Sequence, residues 1–253
     1  MSFSDDEVER YARHLVLREI GGPGQQALKA ASVLLVGAGG LGAPAALYLA
    51  AAGVGRIVMA DPDTVSLSNL QRQVLYGVAD IDAGKVATAA RRLRELNPDV
   101  VVEPAALEVT LENADQLMAP HDLVLDGTDD FVTRFVVSDA AVRHGKVLVS
   151  GAIGRWTGQV GVFPGKPCYR CLVPDIPPDA ETCSRVGVVG ALAGVIGSMM
   201  ALEAVKLITG AGEPLSGRLL IYDGLAGEAR TVRLGADPHC PACGEPRPVD
   251  PER

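Results

Sequence analysis

Basic charge is in short supply in this chain: 23 lysines and arginines stand against 31 acidic residues, for a formal net charge of -8. A general nucleic-acid binder needs a basic face, so this balance argues against one while leaving local basic clusters open. Aromatic residues are also scarce, at 4%. The N-terminus, Met1-Ser2-Phe3-Ser4-Asp5-Asp6-Glu7, is acidic and lacks the apolar core of a signal peptide. The longest apolar stretch, 186–201, contains four glycines and is bounded by Arg185 and Glu203. That is short for a membrane span and reads as a core helix. A cytoplasmic protein without membrane or nucleic-acid partners is therefore expected. What is present is the composition of a soluble globular protein, 48% hydrophobic and 21% charged over 253 residues. Such a chain is long enough to bury a full core without staples.

The most informative stretch is Val33-Leu34-Leu35-Val36-Gly37-Ala38-Gly39-Gly40-Leu41-Gly42, followed by an alanine-rich run. Physically this is a buried strand, a tight glycine turn and the start of a helix whose free N–H groups suit a phosphate. Asp61 ends the next apolar run, at the distance where an acidic residue binds a ribose. A glycine turn that only packs a helix on a sheet is the plainer alternative.

Strand and helix patterns then alternate. Helices are expected over about 4–17, from a short segment after the break Gly21-Gly22-Pro23-Gly24 to Lys29, and over 82–96, 111–118 and 133–143. Strands are expected at 99–103, 122–126 and 146–151. This is the spacing of a Rossmann-like, doubly wound, mostly parallel α/β sheet. Residues 158–163, 218–223 and 229–234 alternate with period two and predict an antiparallel C-terminal extension, with an apolar helix over 186–208 between them. Within one domain, the chain divides into an N-terminal helical segment (1–30), a nucleotide-binding core (31–165), and a crossover loop, long helix, strands and tail (166–253).

Four of the five cysteines form two Cys-x-x-Cys pairs, Cys168/Cys171 and Cys240/Cys243. Together they offer the four thiolates of a structural zinc site that ties the tail back to the strand near Phe163. Redox dithiols are the rival, but such a pair normally opens a helix, and both pairs lie in proline- and glycine-rich turns. His239 could replace one ligand, or be a solvated loop histidine. Cys183 is left over beside Arg185, either an activated thiol or an incidental one.

Asn69, Arg72 and Lys85 follow Asp61 on the segment leaving the same sheet edge, and cations are what hold phosphates. Asp126-Gly127-Thr128-Asp129-Asp130 follows a buried strand, at the strand end where open sheets bind ligands. A carboxylate there suggests magnesium beside a triphosphate. A solvated Arg72 and Lys85, with Asp129-Asp130 capping a helix, is the alternative.

On these motifs the chain resembles the MoeB/ThiF family of ubiquitin-activating-like enzymes along nearly its whole length, with MoeB the nearest branch. The matching residues include Arg10-Tyr11-Ala12-Arg13-His14, the glycine turn, the block from Asp61 to Gln73, Gly84-Lys85, Asp126-Gly127-Thr128-Asp129 and both cysteine pairs. The resemblance implies ATP-dependent adenylation of the C-terminal glycine carboxylate of a ubiquitin-like sulfur carrier ending in Gly-Gly. Gly37, Gly39, Gly40, Gly42, Asp61, Ser68, Asn69, Arg72, Lys85, Asp129 and Asp130 would form the ATP site. Arg72, Lys85 and Asp129 would serve the reaction, with Asp129 on Mg2+, and Arg13 would reach the partner subunit's site in a homodimer. Zn2+ would sit on the four paired cysteines, and Cys183 matches a loop thiol that relays sulfur in some members. A separate sulfurtransferase or cysteine desulfurase would supply the sulfur. Molybdopterin synthesis is the expected pathway, with thiamine synthesis or tRNA and cysteine sulfuration as alternatives. A nicotinamide oxidoreductase and a non-catalytic carrier-docking protein are the competing classes. Two departures from the family pattern stand out. Asp130 replaces an asparagine, and His14 replaces a glutamine, which could leave a hydrogen bond unmade.

Overall fold

The computed structural model describes residues 3–176 and 187–245. Cys183 lies outside them. Among the described residues, eight strands form one sheet in the order β3-β2-β1-β4-β5-β6-β7-β8. They are β1 (Ser32–Val36), β2 (Arg56–Ala60), β3 (Val101–Ala105), β4 (Leu123–Asp126), β5 (Val147–Gly154), β6 (Thr157–Phe163), β7 (Arg218–Asp223) and β8 (Glu228–Arg233). β1 to β5 pair in parallel and β5 to β8 antiparallel, as the patterns predict.

The apolar runs of the parallel strands follow from helices on both faces. Along β1, Val33 and Leu35 point into one core and Leu34 and Val36 into the other. The first core is closed by α4 (Gly42–Ala51), α5 (Lys85–Leu96) and α9 (Gly190–Thr209); the second by α6 (Ala114–Met118), α7 (Phe131–Arg143) and α8 (Tyr169–Leu172). By length and composition α9 could cross a membrane. Here it packs on α4, β5 and β6 through Leu192, Ala193, Ile196, Gly197 and Met200. Close approach fixes Gly197: a Cβ there would stand 2.5 Å from the Leu41 carbonyl oxygen and from Pro44 Cγ.

Several boundaries differ from expectation. The N-terminal helix is interrupted at Tyr11 into α1 (Asp5–Arg10) and α2 (Ala12–Leu15). Tyr11 turns inward, buried, and its hydroxyl accepts from Asn97 Nδ2 at 2.8 Å. The glycines at 21–24 do not break the chain but form the first turn of α3 (Gly21–Ala30), where Pro23 is tolerated because the N–H it lacks would go unpaired there anyway. α5 starts at Lys85 rather than 82, because Asp82 takes a left-handed φ of 67°. α6 starts only at Ala114, after Asn113 Oδ1 has accepted from Thr110 N. β8 has no buried face; all six residues are exposed, so its alternation does not mark a core.

Candidate active site

The parallel strands end on one rim, and there the loops after β1, β2, β3 and β4 enclose a cavity of about 490 Å³. Its lining includes Gly37, Gly39, Gly40, Asp61, Asn69, Arg72, Lys85, Asp129 and Asp130, so residues up to 93 positions apart in sequence converge on one cleft. Gly42 opens α4 rather than facing the cavity. A Cβ on it would collide with the carbonyl oxygen of Gly37, whose own φ is 89°. The turn is thus closed by glycine at both ends.

Asp61, at the end of β2, is 8% exposed and locks this turn in place. Its Oδ2 accepts from Ala38 N at 2.8 Å and its Oδ1 from Asp63 N at 2.9 Å. Lys85 is buried at the start of α5, with Nζ 2.7 Å from Asp63 Oδ2 and 3.7 Å from Asp61 Oδ1. The cation is therefore held by carboxylates at the floor of the cleft. Asn69 and Ser68 sit on the 3-10 turn Leu67–Asn69. Asn69 Oδ1 accepts from Ser66 N, and the Ser68 carbonyl accepts from Arg72 Nη1 at 3.1 Å, which aims the Arg72 stem past Gly40. Ser68 itself does not line the cavity.

Opposite this basic side stand Asp129 and Asp130. Asp129 is exposed to the cleft. Asp130 is the N-cap of α7, accepting from Thr133 N at 2.7 Å, so here the plainer capping alternative and a place in the site both hold. Arg13 lies exposed on α2, outside this cavity. His14 Nδ1 lies 2.9 Å from Gln25 Oε1.

Sequence reasoning gave no role to the buried support beneath the acidic loop. Arg134 donates to Asp126 Oδ2, Ser150 Oγ and the carbonyls of Thr128 and Gly151. Asp126 also accepts from Thr128 Oγ1 at 2.6 Å. Burial would lower the Arg134 pKa, but Asp126 beside it raises it, and the net direction is upward. Asp126 is therefore committed to a structural pair, whereas Asp129 on the same loop is exposed to the cleft. An arginine four residues after a capping aspartate, set among Phe131, Val132, Phe135 and Val136, was the available signal.

The four paired cysteines gather beyond α7. Their Sγ atoms all lie within 4.8 Å of one another, with Cys168 and Cys240 3.5 Å apart and Cys171 and Cys243 3.4 Å apart. These separations are too long for disulfides and suit four sulfurs at about 2.3 Å from a tetrahedral zinc. Burial pushes the Cys168 and Cys243 thiols up, the latter to about 11. At Cys240 burial acts the same way, but the backbone N–H groups of Cys243 and Ala242, together with the Cys168 and Cys243 thiols, outweigh it and lower the thiol to about 7. His239 is exposed and not part of the cluster. One argument against a redox pair fails, because Cys168 does open a short helix, α8. The gathering of all four sulfurs replaces it.

Comparison with known proteins matches residues 11–242 to the ThiF family. The chain belongs to that family. It is 47% identical to a sulfur carrier protein adenylyltransferase of Thermus thermophilus, over 97% of this chain and 94% of the relative. It is 44% identical to the SAMP-activating enzyme E1 of Haloferax volcanii, over 97% and 92%. The adenylyltransferase and sulfurtransferase MOCS3 of Bos taurus is 49% identical, and there this ThiF-family chain spans 55% of the relative's length. With these relatives the expectation of an adenylyltransferase is met. Among solved structures, E. coli MccB crystallised with MccA-N7isoASN shares the fold at a TM-score of 0.83 and 22% identity, over 96% of this chain and 76% of that one.

Proposed function

We propose that this ThiF-family adenylyltransferase activates the C-terminal glycine carboxylate of a ubiquitin-like sulfur carrier ending in Gly-Gly, forming an acyl-adenylate and pyrophosphate. The observation that carries this reading is the convergence of Arg72, Lys85, Asn69, Asp61 and Asp129 on the glycine turn in one cleft. Asp61 would hold the ribose. Gly37, Gly39 and Gly40, with the N-terminus of α4, would admit the phosphates, and Arg72, Lys85, Asn69 and the Ser68 turn would grip them. Asp129, with Asp130 nearby, would hold Mg2+, which supplies charge neutralisation on the triphosphate. Arg13 would complete the partner subunit's site in a homodimer.

A glycine carboxylate is ionised at neutral pH, so no general base is needed. The carboxylate oxygen bonds to the α-phosphorus while the bond to the β-phosphate's bridging oxygen breaks, and pyrophosphate leaves with that electron pair. The chain's part is to align the two reactants and to place cations where charge develops. Zn2+ on Cys168, Cys171, Cys240 and Cys243 would be structural and closed to substrate. Residues 1–30, 31–165 and 166–253 act as one unit in a cytoplasmic enzyme. A sulfurtransferase or cysteine desulfurase delivers sulfur to the adenylate, and Cys183 is the candidate relay thiol. We assign the product to molybdopterin synthesis on the strength of the MoeB likeness.

Mass spectrometry of candidate carriers incubated with enzyme and ATP tests this proposal. An AMP adduct at the C-terminal glycine of a molybdopterin-pathway carrier is expected. Adduct formation only on a thiamine or tRNA-thiolation carrier would move the enzyme to that pathway, and none on any Gly-Gly carrier would refute the substrate class.

A further inference from the structure

Arg134 borders the nucleotide cavity at 5% exposure, where a guanidinium would ordinarily be read as a phosphate ligand. Its hydrogen bonds point elsewhere. Nη1 donates to Asp126 Oδ2 at 3.3 Å and to Ser150 Oγ at 3.0 Å, and Nη2 donates to the Gly151 carbonyl at 2.7 Å and to the Thr128 carbonyl. A guanidinium has five N–H donors, and these bonds engage all four on its two terminal nitrogens. What they hold is backbone on two sides of the cleft. Thr128 precedes Asp129, and Gly151 precedes Ala152 and Ile153, which line the same cavity.

The guanidinium is backed in turn by Tyr169, whose ring centroid lies 5.9 Å from Arg134 Cζ. Tyr169 is buried, lines the cavity, and stands edge-on to Phe135 of α7 and Phe163 of β6, with ring centroids 6.1 and 5.6 Å away. Its backbone is fixed as well. Cys168 and Cys171 of the sulfur cluster bracket it, and Arg170 makes a two-point pair with Asp139 of α7 at 2.8 Å.

We propose that Arg134 and Tyr169 are positioning residues: the Tyr169 ring holds the guanidinium, and the guanidinium holds the Thr128–Asp129 backbone so that the Asp129 carboxylate meets a magnesium-bound triphosphate. The inference rests on the adenylation reading of this cleft. Carboxylate oxygens are the donors magnesium takes, and a carboxylate on a loop needs its backbone fixed to present them. Losing the supports behind a metal-binding group commonly costs about ten- to a hundredfold in metal affinity.

Equilibrium binding of ATP, with Mg2+ and with EDTA, to the wild-type protein, Tyr169→Leu, Asp129→Ala and the double variant tests this. Tyr169→Leu is expected to weaken MgATP binding about tenfold and to leave ATP binding in EDTA unchanged. In the Asp129→Ala background the same substitution should add nothing, because the carboxylate it positions is gone. Tyr169→Phe, which keeps the ring, should bind MgATP like the wild type. Should Tyr169→Leu fail to fold, Arg134→Lys keeps the charge beside Asp126 but loses the planar fork, and must show the same magnesium-dependent loss. Unchanged MgATP affinity in Tyr169→Leu overturns the proposal. So does a loss that persists in EDTA, or one that adds to that of Asp129→Ala, since Tyr169 would then act without that carboxylate. A Tyr169→Phe variant as weak as Tyr169→Leu would likewise contradict a role for the ring. Failure of the wild-type protein to bind ATP would instead remove the adenylation reading beneath it.

Discussion

Lys85 shows how single residues carry this site. The fold buries its ammonium against Asp61 and Asp63, which keeps a cation available at the cleft floor without leaving it unpaired. Lys85→Met should abolish adenylation by at least a hundredfold while the protein still folds, read as loss of carrier-dependent ATP turnover with retained circular dichroism. Steric limits are as local. Gly42→Ala drives a methyl group into the Gly37 carbonyl, and we expect destabilisation by ~1–3 kcal/mol together with lost ATP binding, measured by thermal melts and titration. His121, far from the cleft, sets an acid limit. Burial first, and Arg56 second, lower its pKa to about 4, and its Nδ1 lies 2.8 Å from Ser32 Oγ. The unfolded chain protonates this histidine near pH 6.5. Its contribution is thus complete above about 6.5 and is lost as pH falls toward 4. Denaturant melts should show stability falling across that window, on the order of 2 kcal/mol from this group, and His121→Asn should flatten that limb.

At the scale of elements, α7 joins stability to the site, because its cap is Asp130 and the residue before the cap is Asp129. Asp130→Ala should cost about 1 kcal/mol of stability and weaken ATP binding, whereas Asp130→Asn, which can still cap, should keep the melting temperature. Much of this level was legible in the sequence. The run from Val33 to Gly42 specified strand, turn and helix, because four apolar residues need cover on both faces and only glycine fits positions 37 and 42. What escaped depended on distant partners. Tyr11 splits a helix that its own segment would have continued, since it turns inward and its hydroxyl accepts from Asn97 Nδ2. The buried Arg134 has meaning only once β5 is brought beside it. Likewise the alternation of 229–234 predicted the strand, but all six residues of β8 are exposed among the described residues.

For the whole molecule, the cysteine cluster pins residues 240–243 to α8, so the tail belongs to the fold through a proposed metal. Elemental analysis should find about one zinc per chain, and chelation should lower the melting temperature; metal-free protein of undiminished stability would contradict a structural site. Arg13 stands outside the cleft, so the proposed homodimer, in which it completes the partner's site, has a simple consequence. Mixing inactive Arg13→Ala and Arg72→Ala subunits should restore part of the activity, because one of the two sites in each mixed dimer is intact. The cleft itself was foreseen because its charged residues fall in short, specific motifs. The central claim is that the cleft around Gly37–Gly42 adenylates a carboxylate, and exchange of labelled pyrophosphate into ATP measures that step directly. Exchange that requires a Gly-Gly carrier and disappears in Arg72→Ala and Asp129→Ala is the result expected. Exchange without any carrier, or unchanged in both variants, would contradict it.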